Sequence, residues 1–416
     1  MPLSYINIEP SQKYHGGALL MAILIILSMW PWFYVFYQPS ATNAFLMNIG
    51  IALLAFLLTH DSYVFSRGVL IFFIFLIAAF WGTTGNTNAF MGTFLSSIPF
   101  FFFLCSNEQY QCAIIRIFNK LFSWIIVVSL IFWSLNLIGV SMRHTLLNND
   151  MYSFENYYFF LKSVHNIEKN TFPRFSSIFL EPGYVACIMV FMMFLDNYNF
   201  KKWQNIVYLI ALFFTFSLAG WLFFFISFIP FLSSKGRLRW FYLGGMSVFL
   251  IAFVYMNYYA QGDNVVKEKV GTRIEIEDGE MTGYNRTNDN LNYYWENKLV
   301  PEGKLLMGVR DDYKVKYDFM AAVELRAYIV RYGLIAALLY MLFMFVCYRN
   351  NRSRYGFWYA IVAFLFVFRG YSIMFTYFFL FIYVGGLVIL KMNALNLIER
   401  DNEFDAWNPH ELEIDE

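Results

Sequence analysis

The stretch RFSSIFLEPGYVACIMVFMMFL, Arg174 to Leu195, decides how this chain is read. It runs into a long apolar segment, yet Glu181 and Pro182 stand just inside that segment. A proline lacks a backbone donor and disturbs a helix, and carbonyls freed in lipid must find polar partners or water. An acid and a proline at this depth therefore predict that the segment begins against protein or in a hydrated cavity. Which side this end faces, and what else gathers there, sets the reading of the whole sequence.

Around that stretch the chain is too greasy for a soluble fold. Of its 416 residues 59% are hydrophobic, 22% aromatic and only 14% charged, with 50 Phe against 24 Gly. Mean hydropathy is +0.49. Soluble chains are about half apolar and about a quarter charged. An all-α integral membrane protein follows. A net charge of +1 gives no footprint for nucleic acid. Cys105, Cys112, Cys187 and Cys347 lie in or beside apolar runs without a C-x-x-C partner, so neither a disulfide framework nor a zinc site is indicated. The first apolar run has no small-residue cleavage site after it and reads as an anchor.

A spanning helix takes roughly 20 mostly apolar residues. Twelve such spans are predicted, near 17–37, 43–59, 67–82, 88–105, 119–140, 178–195, 204–219, 221–233, 240–257, 326–348, 355–371 and 373–392, with the seventh and eighth as a broken hairpin around Gly220. Basic short loops stay cytoplasmic. With the N-terminus inside, the inner connections hold Arg67, Arg116, Lys120, Lys201, Lys202, Lys235, Arg237, Arg239, Arg349, Arg352 and Arg354, and the tail begins with Lys391. The short outer connections YQPSATN and GTTGNT hold no Lys or Arg. The expected organisation is spans one to five over 1–140, an outer loop at 141–177 and spans six to nine over 178–257. A large outer loop follows at 258–325, then the last three spans over 326–393 and an acidic cytoplasmic tail at 394–416.

Charges inside a membrane are costly and mark protein interiors or water-filled cavities. Here the middles of the spans are nearly free of them, and they gather at the outer mouths: Arg174, Glu181, Glu324, Arg326, Arg331 and Arg369. At 100° per residue Glu324 and Arg331 share a helical face, whereas Arg326 lies about 140° from Arg331. Both arginines reach one ligand only if the helix mouth unwinds or the side chains bend. The bland reading for any one of them is an arginine reaching for headgroups. That explanation fits Glu181, beside Pro182 and Gly183, poorly. Arginine clusters hold phosphates through bidentate, charge-assisted bonds, and a carboxylate beside them can deprotonate a hydroxyl. The chemistry this points to is a phosphate-bearing lipid with a hydroxyl as partner.

In the large outer loop, NDNLNYYWENKLV (288–300) predicts an amphipathic helix with Tyr293 and Trp295 at headgroup depth. Arg273, Arg286, Arg310, Tyr284, Tyr294 and Trp295 are candidate sugar contacts, against the plain alternative of a solvated loop. Asp311-Asp312 is weak as half of a metal site. His144 and His165 are outer-loop histidines that read as solvated more readily than as bases.

Three passages carry a likeness to a known family. PRFSSIFLEPGYVA (173–186) has the form Arg-x-Ser-x-x-x-x-Glu-Pro; Arg286 is followed by Trp295 and then LLMGVR (305–310); VELRAYIVRYGLIA (323–336) returns to the membrane through Gly333. In these the chain resembles the bacterial O-antigen and capsule repeat-unit polymerases (Wzy-type), and more distantly the O-antigen ligases. Two departures stand out. Ligases and many relatives place His-Asn where this chain has Ala322 and Val323, and GVR lacks the second glycine of the family's turn.

The resemblance implies a GT-C-like architecture with two large extracytoplasmic loops in a bacterial inner membrane, both termini cytoplasmic. It implies a glycosyltransferase that moves a glycan from undecaprenyl pyrophosphate to a hydroxyl of another lipid-linked repeat unit. Neither metal nor other cofactor is implied. Arg174, Arg286, Arg326 and Arg331 would neutralise the pyrophosphate, with Arg273, Arg310 and Trp295 on the glycan. Glu181 or Glu324 would serve the acceptor hydroxyl, and Arg174 counts with them as catalytic. Expected partners are the lipid-linked units, membrane lipid, a polysaccharide co-polymerase that sets chain length, and a flippase. A ligase acting on lipid A-core, a flippase or secondary transporter, and a non-enzymatic scaffold are the rival readings.

Overall fold

The structure is a computed structural model that describes residues 14–36, 41–59, 69–70, 72, 74, 97–148, 153–164, 172–232, 244, 247, 251, 255, 276–277, 280–281, 289–309, 325–368 and 377–406. They are mostly helical: α1 His15–Ser28, α2 Trp32–Phe36, α3 Ala41–Leu58, α4 Glu108–Leu137, α5 Pro182–Leu195, α6 Trp203–Phe214, α7 Leu218–Leu232, α8 Asp289–Tyr294, α9 Leu325–Asn350, α10 Arg354–Phe368 and α11 Tyr377–Ala406. Among the described residues three helices are long and apolar enough to cross a membrane, over Glu108–Leu137, Leu325–Asn350 and Tyr377–Leu395. Shorter apolar helices surround them, and together they mark a membrane protein. The predicted spans at 67–82 and 240–257 lie largely outside the described residues, and the one at 88–105 is described, as helix, over 97–105.

Several predicted spans are interrupted, each for a local reason. The first, expected over 17–37, breaks after α1, where Trp30 takes φ 57° ahead of Pro31. The hairpin expected around Gly220 instead turns at Thr215–Ser217, with Phe216 at φ 46°. Gly220 lies inside α7 and serves close packing: a Cβ there would stand 2.5 Å from the Cβ of Ala186 on α5. The all-α expectation is corrected too. The loop 141–177 contains an antiparallel sheet, β1 Thr145–Asn148, β2 Ser153–Asn156 and β3 Leu161–Ser163, and a short hairpin joins β4 Ile276–Glu277 to β5 Glu280–Met281. Leu147, Phe154 and Leu161 from the three strands pack with Leu180, Trp32 and Phe36, closing a small apolar core of their own.

The main core centres on α5. Every residue from Gly183 to Leu195 is buried, against α6, α7 and α11. At 1.5 Å per residue this 14-residue helix is about 21 Å long, short of the roughly 30 Å of hydrocarbon. The rest of its path is irregular backbone at 172–181, also largely buried. Non-helical backbone at membrane depth is tolerated where protein covers it. α11 gains equally close neighbours through a glycine pair. A Cβ at Gly385 would meet Ile115 of α4 at 2.3 Å, and one at Gly386 would meet the Tyr359 hydroxyl of α10 at 2.4 Å. Small residues that let helix backbones approach are how helices associate in lipid, where burying apolar surface drives little.

The bundle has two distinct ends. One, the loop end, carries the β1–β3 sheet, the segment 172–181 and the turn 215–217. It is stapled to the start of α2, where the Trp32 backbone N–H donates to Ile178 O at 2.9 Å and the Trp32 indole to Tyr158 O at 2.9 Å. The other, the turn end, is held by ion pairs of Lys202 with Asp196 and of Lys391 on α11 with Glu108 on α4.

Candidate functional site

The residues singled out by the sequence fall at two joints. The first joins segment 172–181 to α5, α6 and α7. Arg174 donates from Nε to Thr215 O at 2.9 Å and from Nη2 to Phe216 O at 3.3 Å. These are carbonyls at the C-terminus of α6, an end that carries partial negative charge and lacks intrahelical donors. Beside it Phe175 N donates to Phe214 O at 2.9 Å, and the Ser177 and Ser129 hydroxyls meet at 2.6 Å. The side chain expected as a phosphate ligand thus clamps the α6–α7 turn.

Glu181 and Pro182 are placed differently from the expectation as well. Glu181 is the N-cap residue of α5 in extended conformation, and Pro182 is the first helical residue. A proline there costs no hydrogen bond, because the first N–H groups of a helix have no intrahelical partner, and its fixed φ suits the helix. The expected disturbance with freed carbonyls is therefore absent: the Glu181 carbonyl accepts from Tyr184 N at 3.2 Å. The Glu181 side chain, half-buried, makes no capping bond and stands at the N-terminal end of α5.

The second joint is built on a break in α9. Gly333 takes φ 88° and ψ 162° inside the helix, leaving a half-helix over 325–332 and a longer one over 334–350. The turn 305–309 of the large loop fits into this break. Val309 N donates to Val330 O at 2.8 Å, while Leu334 N and Ile335 N donate to Leu305 O at 2.9 Å and Leu306 O at 3.2 Å. One half-helix thereby has a terminal carbonyl satisfied and the other two of its first amides, so the break is paired rather than frayed. Contact is backbone to backbone: a Cβ on Gly333 would stand 2.3 Å from Leu306 O, and one on Gly308 (φ 73°) 2.8 Å from Gly333 N.

This joint collects three predicted site residues. Arg326 donates from Nη1 to Asn292 Oδ1 on α8 at 3.2 Å. Arg331, half-buried, stands two residues before the break. Trp295 opens a π-helical turn, Trp295–Leu299, and packs half-buried against the main core. The helical expectation for 288–300 thus resolves into α8 and this turn, anchored by the fully buried Leu291 and Leu299. The half-helix is continuous through Arg326 and Arg331, so its mouth is not unwound, and the two side chains leave it on different faces. Glu324, Arg273, Arg286, Arg310, Arg369 and Asp311-Asp312 lie outside the described residues.

Sequence reasoning missed two neighbours here. Asn292 lies within the predicted helix 288–300 and carries no signal of its own there. Tyr328, one turn before Arg331 and 3% exposed, buries a hydroxyl that has no partner among the described residues. An unmade bond of this kind costs about 1–3 kcal/mol, and buried polar groups in native folds are otherwise nearly always satisfied. No spacing rule marks this one tyrosine among the chain's 30. His144, read as a solvated histidine, lies 3.9 Å from Glu155 and packs on the Tyr157 ring in the β1–β3 sheet. Burial, and then the neighbouring Glu155, push the Tyr157 hydroxyl up to about 12.

Comparison with protein-family models, with curated proteins and with solved structures finds no match to this chain.

Proposed function

We propose that the chain is a polysaccharide polymerase of the repeat-unit type, a glycosyltransferase that joins undecaprenyl-pyrophosphate-linked oligosaccharides at the outer face of a bacterial inner membrane. The observation that carries this reading is the clasp at Gly333, where the large loop returns into the bundle and is bonded to the half-helix bearing Arg326 and Arg331. A soluble glycan and a membrane-bound pyrophosphate must meet at such a depth, and arginine is the side chain suited to the second.

In this reading Arg331 binds the pyrophosphate together with Arg286 from the large loop, and Arg326, which leaves the half-helix on another face toward Asn292, joins them by bending its side chain across the mouth. The acceptor hydroxyl attacks the anomeric carbon, its proton passes to Glu324 or Glu181, and the bond to the pyrophosphate oxygen breaks with the electron pair leaving on undecaprenyl pyrophosphate. Arginines placed where that charge develops lower the barrier. The Tyr328 hydroxyl gains a partner on the bound ligand, Trp295, Arg273 and Arg310 contact the glycan, and Arg174 holds the α6–α7 turn that frames the loop end. Twelve spans, cytoplasmic termini, a chain-length co-polymerase and a partner flippase belong to the same proposal.

One observation favours a second reading. Broken helices, as α9 is at Gly333, also build the substrate sites of secondary transporters. Purified protein incubated with lipid-linked repeat units separates the two. A polymerase yields a ladder of lipid-linked oligomers, and a flippase or transporter yields none. A ligase would require lipid A-core as the acceptor before any product formed.

A further inference from the structure

At the turn end, α9 and α10 meet through Asn351–Ser353, and an open cavity of about 620 Å³ lies there, lined by Tyr348, Arg352, Ser353, Arg354 and Phe357. That volume is within the usual range for small-ligand sites, about 300–1,000 Å³. Its chemistry is divided. Tyr348 and Phe357 supply an aromatic wall, their rings 6.1 Å apart. Arg352 and Arg354 supply an exposed cationic rim, with Arg349 exposed one turn earlier.

Two other cations at this end have carboxylate partners: Lys202 pairs with Asp196 and Lys391 with Glu108. At the arginine turn, among the described residues, no carboxylate pairs with Arg349, Arg352 or Arg354. Among the described residues Arg354 has only the Tyr355 ring, 6.0 Å away. The Ser353 hydroxyl accepts from Gly356 N at 3.0 Å, which fixes the start of α10 and leaves its own proton to donate.

The surface running from the turn toward the bundle's middle is apolar. Leu342, Phe345 and Arg349 follow one stripe of α9 at spacings of three and four, and the exposed Phe357 and Phe364 lie seven apart on α10. A ligand matching this surface carries phosphate charge at one end and hydrocarbon at the other. We propose that the α9–α10 turn is a binding site for an anionic phospholipid, with the headgroup phosphates on Arg352, Arg354 and Ser353 and the acyl chains along Phe345 and Phe357. Several arginines favour a headgroup with two phosphates, as in cardiolipin, over one with a single phosphate. Guanidinium forks bind phosphate oxygens in pairs, and basic pockets between spanning helices suit such headgroups.

The test uses the full chain, purified in detergent and offered equal amounts of cardiolipin and phosphatidylglycerol, with retained lipid counted by native mass spectrometry. The wild type is expected to retain cardiolipin in preference. The double variant Arg352→Gln/Arg354→Gln should lose that retention about tenfold, while Lys201→Gln, an exposed cation of the same end outside the cavity, should not. Thermal melting of each variant establishes that it is folded. Undiminished retention by the double variant, or an equal loss with Lys201→Gln, overturns the site. Displacement of the lipid by excess inorganic phosphate would show a free-phosphate site and overturn the lipid assignment.

Discussion

Arg174 bonds the carbonyls of Thr215 and Phe216 through two nitrogens of one planar group, so its first effect is on stability. Hydrogen bonds to charged groups are worth about 1.5–3 kcal/mol, and Arg174→Ala is expected to destabilise the protein by that order in thermal or chemical unfolding. Arg174→Lys should recover little, because an ammonium does not reproduce the fork. Tyr328→Phe should behave oppositely. Removing a hydroxyl that has no partner among the described residues leaves stability equal or higher, by up to about 1 kcal/mol, while polymer formation falls because the ligand loses its donor. Asp196, at the end of α5, supplies a pH test. Burial raises its carboxyl above the usual range, opposed by Lys202 and Arg116. The folded chain therefore holds that proton more tightly than the unfolded one, and its contribution is fully present below an unfolded value of about 4 and lost as pH rises through the folded value. Melts across that window should show this slope in the wild type and a flatter profile in Asp196→Asn.

Among elements, the break in α9 tests most sharply. Gly333→Ala would force a side chain into φ 88° and against Leu306 O, so a loss of at least about 2 kcal/mol is expected, with freer proteolysis of the 289–309 segment. Gly50→Ala on α3 is the contrasting case. No atom lies within 4 Å of a Cβ there, and Ala is the better helix former, so stability should rise by up to about 1 kcal/mol. Much at this scale was legible in sequence: the apolar runs of α4, α9 and α11, the helical stretch near Trp295, and Gly333 as a special position. Other features were hidden for physical reasons. TLLN, SFEN and LKS are too short to show strand alternation, and they pair only because Leu180, Trp32 and Phe36 close the core beneath them. Pro182 was visible as an anomaly, but its role at the start of α5 depends on where the helix begins. Hydropathy alone does not fix that point.

At the scale of the whole molecule, hydropathy does not separate lipid-facing from protein-facing surface. α5 reads in sequence like any other span, yet it is buried along its length, while Leu46, Leu53, Leu57 and Leu58 of α3 face outward. The Lys/Arg bias yields a proposal about orientation that can be checked directly. In a cysteine-free background, Tyr158→Cys at the loop end should react with an impermeant maleimide added to intact spheroplasts, and Arg352→Cys only after lysis; the reverse pattern would invert the orientation. The proposed activity rests on Arg331 at the loop-clasped half-helix. Its most direct test is the oligomer ladder made by purified protein from lipid-linked repeat units, compared between wild type and Arg331→Ala of unchanged melting temperature. The account predicts a ladder from the wild type and a rate lower by about a hundredfold or more in the variant, the usual effect of deleting a group that meets charge in the transition state. A ladder of undiminished rate and length from Arg331→Ala would contradict it.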